Sequence, residues 1–232
     1  MLRIFKKRAR EIGYKYSSLS GYFVSKKQQN EIIQFESALE RDYIYLLEFN
    51  PSVLSYLEQP LSIFYTDSRN KKHKYTPDFL VIYSDNNIQD TLVEIKYHED
   101  LTSNSLIYKE KFQAADKFCK KNNLTFVILS EREIRDSNQE YLNNIKFLSA
   151  YRDAFEVFEK NGHEVDDKGV FSLLNRINVL KNCSIIYLID SLTDNEYYRA
   201  ELIYCIWYLI ANRYVKCDLN KKLNLSTMIW VS

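Results

Sequence analysis

The stretch "YTPDFLVIYSDNNIQDTLVEIKY", residues 75–97, sets the strongest constraint on how this chain folds. Two apolar runs of strand length flank a polar turn, yet Asp78, Glu94 and Lys96 carry charge where a buried strand should be apolar. Burying an unpaired carboxylate or ammonium costs several kcal/mol, so such groups persist only where something pairs them, and a divalent metal ion is one such partner. In "LVEIK", Glu94 and Lys96 stand two apart, so on a strand both leave one face while Val93, Ile95 and Tyr97 leave the other. Asp78 directly follows Pro77, a residue tolerated at the start of a strand. Pairing through a turn at residues 84–90 would leave Asp78 near the far end of its strand. A bulge or bend at the proline is therefore expected to bring it to Glu94.

The surrounding segments give an order of elements. Upstream, "FESALERDYIYLLEF" repeats apolar residues at three and four, Phe35, Leu39, Tyr43, Leu46 and Leu47, which predicts an amphipathic helix ended by Asn50 and Pro51. "VLSYLEQPLSIFYT", "KKHKYTPDFLVIY" and "TLVEIKY", separated by polar turns, predict an antiparallel meander. A helix at about residues 105–121 follows, then "LTFVILS", an apolar strand of the kind buried on both faces. Helix, three strands, helix and strand make a compact α/β unit with a mixed sheet flanked by helices. The segment "SSLSGYFVSKKQQ" reads as an arm or irregular lead-in. After a composition change near residue 150 the chain reads as helices closed by two strand-like pieces, "VKCDLN" and "KLNLSTMIWV". That pattern fits a winged-helix-like module or a plain helical packing domain. The expected division is a basic arm at 1–20, an α/β domain at 21–149 and a mainly helical domain at 150–232.

Composition narrows the function. With 32 Lys and Arg against 31 Asp and Glu, the net charge of +1 argues against a wholly basic nucleic-acid coat but allows local patches. Two exist: "RIFKKRAREIGYKY", containing Arg8, Arg10 and Lys15, and "RNKKHK", containing Arg69, Lys71, Lys72 and Lys74, just before Asp78. The four cysteines lack the short spacings of metal ligands and read as reduced thiols. The three histidines form no zinc motif, and His98 lies two residues beyond Lys96, where it would be an edge residue. No Gly-rich phosphate loop is present. The longest apolar run, "LIYCIWYLIA", is too short to span a bilayer, so a soluble protein of the cell interior is expected.

Two carboxylates held close repel each other unless a cation lies between them, and an all-oxygen set favours a hard ion such as Mg²⁺, with Mn²⁺ as a substitute. Such an ion activates water and polarises a phosphoryl group, while a lysine on the same face positions the water or offsets charge on phosphorus. A carboxylate from the preceding helix would complete the arrangement: Glu40 is the candidate, with Glu36 and Glu48 its rivals. A lone E-x-K triplet is common by chance as an exposed ion pair. The combination is more specific: an acidic amphipathic helix, Asp after Pro opening a strand, then E-x-K sixteen residues later and a helix beyond. This is the order of the PD-(D/E)xK nuclease core.

The motifs "SALE", "LLEF", "EQP", "TPDFLV" and "VEIK" together resemble the amino-terminal domain of TnsA, the endonuclease subunit of heteromeric cut-and-paste transposases, over about residues 21–130. The resemblance implies a restriction-endonuclease-like fold. It implies Glu40 as catalytic glutamate, Asp78 as metal-binding aspartate, Glu94 as second acidic position and Lys96 as the lysine, with Glu36 and Glu48 structural. It further implies Mg²⁺ on Asp78, Glu94 and the carbonyl of Ile95, with Glu40 holding a water of the ion or a second ion. The family's cut falls on the non-transferred strand at the 5′ ends of the element, beside a DDE transposase that acts on the 3′ ends. Its carboxy-terminal half packs as a winged-helix-like domain and docks on an AAA+ regulator. The basic arm and "RNKKHK" would contact DNA phosphates. A stand-alone nuclease of repair or phage defence, or a silent DNA-binding or docking module, are the alternatives. Glu58 and Gln59 in "EQP" are expected only to hydrogen-bond at a strand end before Pro60.

Overall fold

The computed structural model describes residues 19–28, 31–155 and 168–231, which form two compact units, one ending at Ser137 and one beginning at Asn138. Arg8, Arg10 and Lys15 of the basic arm lie outside the described residues. The change of unit falls earlier in the chain than the change of composition near residue 150.

The first unit opens with a hairpin where an irregular lead-in was expected. Strand β1 (Gly21–Val24) pairs antiparallel with β2 (Ile32–Phe35), and Gly21 faces Phe35 so closely that a Cβ there would lie 2.7 Å from the ring. The Ser, Lys and Gln residues that suggested a loop form the turn, while Ile33 and Phe35 enter the core. Helix α1 (Ala38–Phe49) starts at Ser37, whose Oγ accepts the Glu40 amide proton, and stops at Asn50.

Strands β3 (Val53–Glu58), β4 (Ile63–Thr66), β5 (Lys72–Tyr75), β6 (Phe79–Tyr83) and β7 (Thr91–Ile95) follow. The expected three-strand meander is thus subdivided. Both long runs break at a proline, Pro60 and Pro77, which has no N–H for a ladder. Gln59 adds a left-handed backbone with φ 43°. The pieces between the prolines, β4 and β5, form a separate antiparallel hairpin, and β3 pairs directly with β6.

Beyond β7 come α2 (His98–Ser103), α3 (Ser105–Lys121), β8 (Thr125–Leu129) and α4 (Glu131–Ile134). The sheet order is β3-β6-β7-β8, antiparallel except for the parallel β7–β8 pair, so this is a mixed sheet flanked by helices. Strand β8 was expected to be buried on both faces. It is half-buried throughout because it forms the sheet's edge. Strand alternation sends Phe79, Val81, Val93 and Ile95 into a core with α1, and Leu80 and Leu92 into a second core with Ala115 and Cys119 of α3.

The second unit contains α5 (Gln139–Ser149), α6 (Lys168–Leu180), β9 (Asn182–Ser184), α7 (Ile185–Asp190), α8 (Glu196–Ala211), β10 (Lys216–Cys217) and β11 (Met228–Trp230). The expected terminal hairpin is present as β10–β11, with β9 added as a third antiparallel strand. Buried Asn144 ties α5 to the segment before β11, donating to the carbonyls of Leu219 and Lys221 at 2.9 and 2.8 Å. All four cysteines are free thiols. Among the described residues no helix is long and apolar enough to cross a membrane.

Phe79 is fully buried and packs edge-on to Tyr43 at 5.6 Å and against Tyr56 at 6.4 Å, so it joins the central strand to α1 and β3. Phe79→Ala is expected to cost about 3–5 kcal/mol, read as a lower midpoint in urea with an unchanged slope.

Candidate active site

The site forms at the open end of the β6–β7 hairpin. Phe79 aligns with Val93, so Asp78 comes level with Glu94, and the Asp78 amide donates to the Val93 carbonyl at 3.0 Å. No bulge interrupts the β6–β7 register; the expected bend is unnecessary because Glu94 lies at the same end of the hairpin as Asp78. Across the gap, Asp78 Oδ2 accepts the backbone N–H of Ile95 at 2.6 Å. The carboxylate thereby caps the ladder where β6 has run out.

Lys96 is fixed through its backbone, which donates to Leu129 at the end of β8. Its ammonium lies 2.9 Å from the Ile95 carbonyl oxygen, 3.1 Å from Glu94 Oε1 and 3.7 Å from Asp78 Oδ2. These are the three oxygens expected from the sequence to hold a metal, and here they converge on one positive charge.

Glu94 is 2% exposed and both its oxygens are engaged. Oε1 also accepts from Lys111 of α3 at 2.8 Å, and Oε2 accepts the Tyr75 hydroxyl proton at 2.7 Å. Neither Lys111 nor Tyr75 was foreseen as a site residue. The available signal was alternation: Glu94 shares a face with Leu92, which packs toward α3, so a cation on that helix is the natural partner of a buried carboxylate.

Glu40 occupies the first turn of α1. Its Oε2 accepts the Glu36 amide proton at 2.8 Å and its Oε1 accepts the Ser37 hydroxyl at 2.9 Å, so its carboxylate is folded back over the helix start. Its rival Glu48 is buried elsewhere, accepting from Ser25 at 2.5 Å and Tyr56 at 2.8 Å. Glu36 lies beside Gln59, whose Nε2 is 3.4 Å from Glu36 Oε2, and the Gln59 amide donates to the Asp78 carbonyl at 2.8 Å. His98 begins α2 and donates its amide to Glu131. Arg69, Lys71, Lys72 and Lys74 are exposed on the tip and outer strand of the β4–β5 hairpin.

The electrostatics follow from crowding. Burial raises the Asp78 pKa to about 8, with the negative charges of Glu94 and, more weakly, Glu40 adding to it. Burial likewise raises Glu40, an effect the Glu36 and Ser37 hydrogen bonds and the Lys96 charge offset only in part. Burial alone would lower the pKa of Lys96, but the carboxylates of Asp78 and Glu94 outweigh it and hold the amine above its ordinary value. Lys96 is therefore a fixed cation near neutral pH. It can orient water or stabilise an anion, and it is not a general base in this arrangement.

Among the described residues no three His, Cys, Asp or Glu side chains cluster closely enough to hold an ion by themselves. The fitting donor set is two carboxylates and one carbonyl, from Asp78, Glu94 and Ile95. All are hard oxygens, and their convergence on the Lys96 ammonium shows that they suit a cation.

A mixed sheet flanked by helices, with an aspartate at the start of one strand and E-x-K at the end of its neighbour, defines the class of restriction-endonuclease-like nucleases. Residues 50–131 match the family "TnsA-like endonuclease N terminal", and residues 136–219 match "TnsA endonuclease C terminal". The two matches are successive parts of one family, and the chain belongs to the TnsA-type endonucleases, nucleases of the transposition type. Asp78, Glu94 and Lys96 lie inside the matched segment; Glu40 lies before it. No curated protein matches the chain.

Asp78 keeps its proton to about pH 8 in the fold but releases it near 3.8 when unfolded. The folded state thus binds more protons across that window, so stability falls as pH rises through it. Urea denaturation without added metal should show a loss on the order of 4 kcal/mol at most from pH 5 to 8, and Asp78→Asn should flatten that slope.

Proposed function

We propose that this protein is a metal-dependent DNA endonuclease that hydrolyses the non-transferred strand at the 5′ ends of a transposon, acting with a DDE transposase and an AAA+ regulator. Family membership supports DNA as substrate and transposition as setting. The observation that carries the chemistry is the convergence of Asp78, Glu94 and the Ile95 carbonyl on one cationic position beside Lys96.

Asp78, Glu94 and the Ile95 carbonyl would hold Mg²⁺, or Mn²⁺ in its place. Bound there, the ion supplies Lewis-acid polarisation of the scissile phosphoryl group. Lys96, a cation near neutral pH, orients the attacking water and offsets negative charge building on phosphorus. Glu40, whose burial raises its proton affinity, holds a water at the helix start or a second ion. The products are a 5′-phosphate and a 3′-hydroxyl.

The β4–β5 hairpin supplies the DNA contacts. Cross-strand register places Phe64 opposite Lys74 and Thr66 opposite Lys72, and all four are exposed, so an aromatic ring stands within a basic face. Arg69 and Lys71 extend that charge around the turn, where it would meet phosphates without reading bases. Arg8, Arg10 and Lys15 would add to it. The second unit, read as winged-helix-like, would dock the regulator.

Calorimetric titration of Mn²⁺ and a nicking assay on supercoiled DNA test this reading. Asp78→Ala should abolish Mn²⁺ binding, and both Asp78→Ala and Lys96→Ala should lower nicking by about a hundredfold or more. A folded wild-type protein that binds no Mn²⁺, even with DNA present, would overturn the catalytic reading. With the partner proteins and end-containing DNA, the nick should map to the 5′ end of the element; a nick at the 3′ end would overturn the strand assignment.

A further inference from the structure

Glu94 is contacted by two ammonium groups. The proposed reaction uses Lys96; Lys111 is left without a role. Yet Lys111 makes the shorter approach, 2.8 Å against 3.1 Å, from a different element of the fold. Its position is built. The Lys111 ammonium lies 4.6 Å from the centre of the Tyr75 ring, 4.7 Å from that of Tyr108 and 4.9 Å from that of Phe112, so three aromatic faces surround it. Tyr75 also donates to the other oxygen of Glu94, so the lysine and the tyrosine together hold both ends of one carboxylate. A lysine caged by aromatics and 17% exposed has little freedom to swing away, unlike a surface ion pair.

We propose that Lys111 is a positioning residue of the nuclease site whose charge, acting through Glu94, sets how strongly the site draws a divalent cation. Asp78 and Glu94 adjoin Lys96, Lys111 adds a second ammonium at Glu94, and the charges of Glu40 and Asp100 also act on this cluster, so carboxylates outnumber ammonium groups when all are ionised. Removing Lys111 takes one positive charge from a cluster that is already net negative when ionised. The Tyr75 hydroxyl still holds Glu94 when the lysine is gone, so the variant loses the opposing charge more than the geometry. The inference rests on the proposed metal-dependent reading of this site.

The test is calorimetric titration of MnCl₂ into the full chain as wild type, Lys111→Met and Lys111→Arg, with thermal unfolding of each. Methionine keeps the apolar stem among the three rings, and Lys111→Gln serves as second variant should it pack badly. Expected is Mn²⁺ binding about tenfold tighter in Lys111→Met, the size of one opposing charge lost at close range, and wild-type affinity in Lys111→Arg, which keeps the charge. Affinity unchanged or weakened in Lys111→Met, with wild-type binding intact, overturns this inference and leaves the nuclease reading standing. Affinity altered equally in Lys111→Met and Lys111→Arg also overturns it, since shape rather than charge would then govern. Absence of Mn²⁺ binding in wild type and every variant overturns both.

Discussion

The register of β6 against β7 is the constraint on which the rest of the first unit depends. Side chains on a strand alternate between faces, so a slip of one residue would move every one of them to the wrong side. In the observed register Phe79, Val81, Val93 and Ile95 serve the α1 core, while Leu80 and Leu92 serve the α3 core. The same register brings Asp78 level with Glu94 and lets the Asp78 carboxylate take the Ile95 amide that β6 no longer reaches. Core and site are thus specified by one pairing. Misplacing the charged groups would require burying Phe79 and Leu80 on the wrong faces.

That pairing gathers charges at a cost the protein has to offset. Glu94 is almost fully buried, and a carboxylate there is tolerable only with its oxygens satisfied, which Lys96, Lys111 and Tyr75 accomplish. Asp78 is satisfied less completely, by the Ile95 amide and a longer approach to Lys96, and burial and the Glu94 charge together raise its pKa. Nearby, Gln59 sits in a left-handed backbone with its Oε1 buried and unpartnered, while its amide holds the Asp78 carbonyl. Strain and unmet polar groups in one neighbourhood mark a site organised for something other than stability.

How much of this could be read from the sequence depends on the range of the interactions involved. Helices α1 and α3 were legible because their apolar spacing is local, and α1 stops at Asn50 as expected, although Phe35, counted in its stripe, falls on β2. Asp78, Glu94 and Lys96 were legible because charge in an apolar strand is anomalous at any position. The splitting of two long runs into four strands was signalled by Pro60 and Pro77, but which pieces pair is a tertiary outcome, and β3 passes over a whole hairpin to reach β6. The β1–β2 hairpin was missed because its turn is rich in Ser, Lys and Gln and gives no hydrophobic cue. Lys111 was missed for a related reason: on α3 it is one lysine among several, and only the packing of that helix on the sheet distinguishes it.

The basic hairpin and the acidic site, distinct in sequence, are joined by hydrogen bonds. Tyr75 closes the β4–β5 hairpin at its base and donates to Glu94. At the tip, Asp67 accepts from the Arg69 and Lys71 amides and from His73, which stiffens the turn carrying the exposed cations. Ser68 then ties that turn to Glu110, the neighbour of Lys111 on α3. The hairpin is therefore anchored at its base to Glu94 itself and at its tip to the helix that supplies one of Glu94's two ammonium partners.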